Sequence, residues 1–375
     1  MTVAGVSVLP SLVAGDLALA STRPWAFRSL PASRSLIART LRGLSVRLLG
    51  LGLINRHLLF WSEGPAARSV RRHLSEVPCD LLVLSNLPSF AAFSAAPGSG
   101  PLRVWTDLED DHVAMLPDQK GFHPERRRRE LLVRAATNRA ERILAASPLM
   151  AQGLSNRYHR PVDCILNVFD VPLAALPTAP SPALLWQSQT VGPERGLEDI
   201  LRVFAHMPSP PRLCLRGMVS DSYRLTLTNL LTSLGLPSET IEFLPYCAPQ
   251  DLLANTRGYR AGLALECAPD ENRRNCLTNK IFEYLAAGVP IVLSDTPAHR
   301  ALLPELGASS VLIDLRQPEA AARRLSDWLS ADRDTQQRAA EALAETRFNW
   351  QLESRRLVEG LKPTVKPSME YPCAS

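Results

Sequence analysis

The sequence predicts an α/β protein built from two doubly wound domains that face each other across a cleft. Short apolar runs of strand length alternate with segments of helical period, the pattern of parallel sheets covered by helices. A proline-rich stretch, Val171 to Pro182, interrupts the alternation, and the same pattern restarts after it. With 375 residues, each half is long enough to bury a core of its own.

Taken in order, the strand-like runs of the first half are Val6 to Leu9, Leu81 to Leu84, Arg103 to Trp105, Ile143 to Ala145 and the pair Ile165 and Leu166. Those of the second half are Leu184 to Trp186, Arg212 to Leu215, Ile241 to Leu244, Ala261 to Leu265, Ile291 to Leu293 and Val311 to Ile313. The expected domains are 1–174 and 183–345, followed by a closing helix over 346–361. The tail 362–375 is polar, carries three prolines and is expected to be disordered. Ligands of doubly wound sheets bind outside the carboxyl ends of the strands, so the cleft between the two domains is the expected site.

Composition narrows the classes. Apolar residues make up 46% of the chain and charged residues 21%, as in ordinary globular proteins. The formal net charge of +5 is too small and too dispersed for a nucleic-acid-binding domain, and no zinc-finger, RNP or helix-turn-helix pattern occurs. It does suit anionic substrates or an anionic membrane surface. The seven cysteines are odd in number and form no C-x-x-C pair, which points to thiols in a reducing compartment rather than a metal site or disulfide framework. The first positive residue, Arg23, follows the N-terminal apolar stretch, so no secretory signal is read there. No window offers about 18 uninterrupted apolar residues. The expected location is therefore cytoplasmic, with the inner membrane face as an option.

That option comes from Ser33 to Trp61, which mixes Arg34, Arg39, Arg42, Arg47 and Arg56 with many leucines and isoleucines and ends in Phe60 and Trp61. Two readings stay open: an interfacial basic helix on a membrane, or an ordinary amphipathic helix with its arginines in water. The run Arg126 to Arg129 reads as the opening of a solvated helix face.

The chemistry concentrates between Asn275 and Asp295. Thr278 is a candidate N-cap, and Ile281, Phe282, Leu285 and Ala286 recur at helical spacing. Gly288 suits the position after the helix, and Pro290 stops it before the buried strand Ile291 to Leu293. This order sets a helix N-terminus at a strand edge. Its free N–H groups, its dipole and the Lys280 ammonium suit phosphate. Glu283, one turn further on, can accept hydrogen bonds from two adjacent hydroxyls, which is what a ribose offers. Phosphates plus ribose make a nucleotide.

These residues resemble the donor-binding signature of GT-B nucleotide-sugar glycosyltransferases of the large retaining group, whose common form is NKIFEY-x-A-x-G-x-P. Trp186 to Leu201, with Arg195 and Gly196, resembles that family's first strand and phosphate loop of the C-terminal domain. Gly262 to Glu266 resembles the strand before the donor loop. Asp107 to His112, Ala140 to Leu154 and Ile165 to Asp170 resemble the family in the same order, so the likeness spans roughly 70–360. It implies transfer of a sugar from a nucleotide diphosphate to a glycan or lipid-linked acceptor, with retention at the anomeric carbon. No metal and no cofactor beyond the nucleotide-sugar co-substrate is expected.

By the same resemblance, Arg195, Gly196, Thr278, Asn279, Lys280, Glu283 and Glu266 are donor-site candidates. The family commonly carries a second Glu eight positions before the helix Glu; that position is Asn275 here, which can bond sugar hydroxyls but bears no charge. Asn272 and Arg273 are alternatives for the same space. On the acceptor side Asp107, Glu109, Asp110 and His112 cluster at a strand end. Glu109 and His112 are candidates for acid–base work or for binding the acceptor hydroxyl. Asn167 falls at the family's interdomain position, and backbone near Leu244 to Tyr246 is the candidate base contact. The family's first strand and glycine loop have no counterpart, because Ala4 to Leu9 resembles its second strand. A start placed too late and a remodelled acceptor domain are both open readings. Two rival functions also stay open, a nucleotide-sugar-binding protein without turnover and a GT-B sugar-nucleotide epimerase.

Overall fold

A computed structural model describes residues 2–5, 26–30, 36–94, 103–171, 180–267 and 269–361. The expected strand Val6 to Leu9, most of the proline-rich connection and the tail after 361 lie outside the described residues. Strands β1 (Thr2–Gly5) and β2 (Ala26–Ser29) pair in parallel as a two-stranded sheet. Next come β3 (Leu81–Leu84), β4 (Arg103–Leu108), β5 (Arg142–Ala145) and β6 (Asp163–Cys164), all parallel and in that spatial order. The expected strand at Ile165 and Leu166 is thus displaced by two residues. Leu166 and Val168 instead bury in the core of the second half, which removes them from the ladder.

The second half forms one six-stranded parallel sheet from β7 (Leu184–Val191), β8 (Leu213–Val219), β9 (Ile241–Leu244), β10 (Ala261–Ala264), β11 (Ile291–Ser294) and β12 (Ser310–Ile313). Its spatial order is β12-β11-β10-β7-β8-β9, the doubly wound order, with the direction of winding reversing between β7 and β10. The first half of β7 together with β10 and β11 is buried on both faces, which is why Leu184 to Trp186, Ala261 to Ala264 and Ile291 to Leu293 read as continuous apolar runs rather than as an alternation.

Seven helices matter below: α1 (Leu36–Gly50), α2 (Arg56–Ser62), α3 (His123–Arg139), α4 (Leu197–Phe204), α5 (Glu271–Asn275), α6 (Asn279–Ala286) and α7 (Trp350–Glu359). The basic stretch Ser33 to Trp61 is not one helix. It breaks after Gly50, where Gly52 takes a positive φ of 95°, and restarts at the side chain of Asn55, which accepts from the His57 N–H. At the far end of the chain α7 leaves the second half and packs on the first. Arg103 donates to the carbonyls of Gly360 and Leu361, and Arg142 to those of Arg356 and Leu357. The buried Glu353 accepts from the Leu166 N–H at 3.2 Å.

Candidate functional site

The reversal of winding between β7 and β10 opens a crevice at the carboxyl ends of these two strands. The loop after β7 and the residue after β10 deliver Arg195 and Glu266 to it. Gly196 sits just before α4 at φ 72°, and a side chain there would press on Leu265 and Leu315. Helix α6 points its N-terminus at the same crevice. Thr278 caps it in extended conformation, and its hydroxyl is buried without a hydrogen-bond partner among the described residues. At the other end Gly288, at φ 67°, closes the helix with its N–H on the Leu285 carbonyl, as its position predicts.

The approach of α6 to the sheet depends on Gly262 in β10. A Cβ there would stand 2.3 Å from the Tyr284 ring, so only glycine lets α6 settle against the strand. This close packing holds Lys280 and Glu283 at fixed depth. The Lys280 ammonium lies 5.3 Å from the centre of the Trp186 ring. Burial lowers its pKa, and the Glu266 carboxylate opposes that shift.

Glu266 is buried and bridges two arginines, with Arg273 at 3.4 Å and Arg195 at 3.9 Å. Ser294 fixes its backbone by donating to the Glu266 carbonyl and accepting from its N–H. Arg195 and Arg273 therefore converge on one carboxylate, whose charge also acts on the Lys280 ammonium, and the three cations border the same crevice at the helix N-terminus. An anion entering the crevice meets donors already oriented, which is the arrangement a diphosphate requires.

Glu283 lies deeper. Its carboxylate accepts from the Gln187 amide and from the Thr256 hydroxyl, the latter at 3.2 Å. The Gln187 carbonyl accepts from Arg216 at 2.8 Å, and Arg216 also donates to the Asn255 carbonyl. Burial pushes the Glu283 carboxyl up to about 7, against the pull of Thr256, Lys280 and Arg216. Gln187, Thr256 and Arg216 are absent from the sequence-based candidates. A signal existed for one of them, since Arg216 interrupts an otherwise apolar buried strand, whereas Gln187 opens the polar run near the end of β7.

These groups line a cleft of about 530 Å³, a size suited to a small-molecule ligand. Arg195, Glu266, Thr278, Asn279, Lys280 and Glu283 all border it, as do Gln187, Arg216, Arg273 and Tyr246. From the first half come Asp110, Met115 and Phe169. Glu109 and His112 do not border it: Glu109 is exposed, and His112 packs edge-on against Phe90 at 5.8 Å with its Nε2 buried and unpartnered. Asp107 is also outside the lining, and burial raises its carboxyl to about 6. Asn275 contributes its carbonyl to the Ser147 hydroxyl rather than a side chain to the cleft lining. Asn167 is exposed between the buried Leu166 and Val168.

The two halves touch across the cleft at Asn272. Its amide donates to the Asp110 carboxylate at 2.8 Å, and its carbonyl accepts the Asp111 N–H at 2.7 Å. Arg157 holds Asp111 in turn at 2.7 Å. Among the described residues no group of three His, Cys, Asp or Glu side chains is placed to hold a metal ion, and no helix is long and apolar enough to cross a membrane.

The fold and the cleft together define the GT-B class, two parallel α/β sheets with a ligand crevice at the switch point of the second. Solved structures share it. HepE from Anabaena, in complex with UDP-glucose, is 16% identical, with a TM-score of 0.67 over 96% of this chain and 98% of its own. WaaG, a glycosyltransferase involved in lipopolysaccharide biosynthesis, is 14% identical, with a TM-score of 0.61 over 95% of this chain and 98% of its own. TarM from S. aureus, in complex with UDP, is 10% identical with a TM-score of 0.61; the match covers 80% of this chain and only 59% of TarM. No protein-family model and no curated protein sequence matches the chain. At these identities the likeness establishes the fold.

Proposed function

We propose that the protein is a glycosyltransferase that moves a sugar from a nucleotide diphosphate to an acceptor in polysaccharide or glycolipid assembly, with retention at the anomeric carbon. The observation that carries this reading is the pairing of a buried carboxylate, Glu283, with the cluster of Arg195, Arg273 and Lys280 at one helix N-terminus. A nucleotide diphosphate matches both parts at once, ribose hydroxyls on Glu283 and phosphates on the cations. Structures of the same fold with UDP or UDP-glucose bound support the donor class.

The reaction forms a bond between an acceptor oxygen and the anomeric carbon, on the face from which the leaving group departs, as the bond from that carbon to the phosphate oxygen breaks. The acceptor hydroxyl proton passes to that departing oxygen. The diphosphate leaves with the electron pair, so negative charge grows on it in the transition state. Arg195, Arg273 and Lys280 are positioned to take up that charge, and Thr278 has a hydroxyl to donate. Each donor interaction that strengthens as the charge grows is worth roughly 3 kcal/mol of barrier. Asp110 is the acid of the Asp107 to His112 cluster that borders the cleft, and it becomes the first candidate for the acceptor side.

The test is thermal stabilisation by UDP, GDP, ADP and their sugar conjugates. A ligand at about a hundred times its Kd raises stability by roughly 2.7 kcal/mol, which a melting scan resolves. One nucleotide should stabilise the wild-type chain and fail to stabilise Glu283→Ala. A chain that melts cooperatively and ignores every nucleotide would remove the reading. Product analysis with the selected donor then separates transfer, which yields a glycoside and free nucleotide, from binding without turnover and from epimerisation.

A further inference from the structure

Helix α1 shows two unlike faces. Ser45 and Leu49 are buried, whereas Leu36, Thr40, Leu44, Arg47 and Leu51 recur at helical spacing on the side turned to solvent. Leu36 and Ile37 are 76% and 74% exposed, and Leu51 in the turn after the helix is 80% exposed. Leu53 and Ile54 in the same turn are exposed as well. Leu51, Leu53 and Ile54 make an apolar corner in the turn after α1, and the exposed Leu44, Ile37 and Leu36 continue the apolar surface back along the helix to its start, more than scattered exposed leucines produce.

The charge around this corner has one sign. From Leu36 to Ser62 there is no Asp or Glu, and Arg39, Arg47 and Arg56 are exposed with no carboxylate partner among the described residues. The start of α3 adds to it. Pro124 packs against Gly50, Arg127 reaches Gly52, and the exposed Lys120, Phe122 and Arg127 extend the mixture of apolar and basic groups. Carboxylates of the neighbouring elements are occupied, Glu63 and Glu125 by the buried Arg128, and Asp118 by His123 and Arg126.

The corner is also next to the cleft. Arg126 and Arg129 of α3 donate to the carbonyls of His112, Val113 and Leu116, which tie the start of α3 to the loop that carries Asp110 and Met115 into the cleft lining.

We propose that the α1–α2 corner, with Leu51, Leu53 and Ile54 inserted and Arg39, Arg47 and Arg56 at headgroup level, docks the protein on an anionic lipid surface. Aliphatic tips flanked by unpaired arginines match the boundary between acyl chains and anionic headgroups. A second copy of this chain fits less well, because twofold pairing of the corner would set the same arginines against each other. Docking at this corner turns the first-half side of the cleft toward the bilayer, where an acceptor carried on a lipid would be within reach. Only that consequence rests on the proposed glycosyl transfer; the docking itself does not.

Vesicle sedimentation with the full chain tests it. Vesicles of phosphatidylcholine with about a third phosphatidylglycerol should carry the protein down, pure phosphatidylcholine far less, and added salt should release it. Leu51→Ser/Leu53→Ser/Ile54→Ser should weaken partitioning by at least about tenfold. Each of Arg39→Gln, Arg47→Gln and Arg56→Gln should weaken it by about fivefold. All variants should melt as the wild type does, because the altered side chains are in solvent. Protein that stays in solution with anionic vesicles would overturn the proposal, and so would variants that bind them as the wild type does. Loss of a concentration-dependent dimer in the triple variant, without lipid binding by the wild type, would assign the corner to a second copy instead. Nucleotide stabilisation measured on the same samples reports on the donor site separately, so the two readings fail independently.

Discussion

Glu283 is the residue whose protonation connects stability to binding. Its carboxyl is raised from 4.5 to about 7 by burial, so the folded protein holds this proton more tightly than the unfolded chain. The contribution to stability is therefore complete below about pH 4.5 and is lost as pH rises through about 7, with an upper bound of about 3 kcal/mol. In the proposed nucleotide complex binding runs the other way, because the ionised carboxylate would accept both ribose hydroxyls. Affinity for the nucleotide found in the melting screen should rise between pH 6 and 8, and Glu283→Gln should flatten that profile; calorimetric titration across the range measures both. Gln187 joins Glu283 to Arg216 with one end of its amide on each. Gln187→Met keeps the volume and strands both partners, which should cost about 1–3 kcal/mol in denaturant unfolding. A loss under 0.5 kcal/mol would mean the three side chains act separately.

At the scale of elements, the proposed donor site depends on one close approach. Gly262 allows Tyr284 to lie on β10, and α6 carries Lys280 and Glu283 to the cleft on the other side of that contact. Gly262→Ala should destabilise the protein by about 1–3 kcal/mol and also weaken nucleotide binding, because the helix must back away from the strand. A variant with normal affinity and reduced melting temperature would mean that α6 shifts without moving its N-terminus. The identity of α6 was legible from its residues, since cap, period, glycine stop and proline all fall within one short segment. The break between α1 and α2 was not. Gly50 and Gly52 followed by Asn55 were the only local signal, set inside a run of leucines, and the turn also rests on packing of Gly50 on Pro124 in a helix about 70 residues away.

For the whole molecule, the two halves are joined by a hydrogen-bonded bridge at the cleft and by α7 behind it. Glu353 is buried where α7 meets the first half, bonded to the Leu166 N–H and to Arg356 at 3.1 Å. Glu353→Ala should cost about 2–3 kcal/mol, below the range for a fully buried pair because Arg347 and Arg356 remain about half exposed. Asn272 closes the cleft side through Asp110 and Asp111. Asn272→Ala should leave the melting temperature within a few degrees and enlarge the radius of gyration seen by solution scattering, as the halves part. An unchanged radius would assign the closure to the remaining ties, the Ser147–Asn275 hydrogen bond, Leu166 and Val168 in the second-half core, and α7.

The class of fold, and the segment that brings Lys280 and Glu283 to the cleft, could be read from local pattern alone. Parallel strands buried on both faces are apolar along their length, and the α6 segment carries cap, cation, carboxylate and stop in consecutive positions, so local pattern was enough. Tertiary structure decided what sequence separation hides. Gln187, Arg216 and Thr256 meet Glu283 from three other elements, and the cleft takes Asp110 rather than Glu109 or His112 because a loop, with no period to read, sets which side chain faces inward. The same holds for the corner at Leu51. Composition showed leucine beside arginine, and only the packing of α1 on its neighbours decided which of those leucines were left in water.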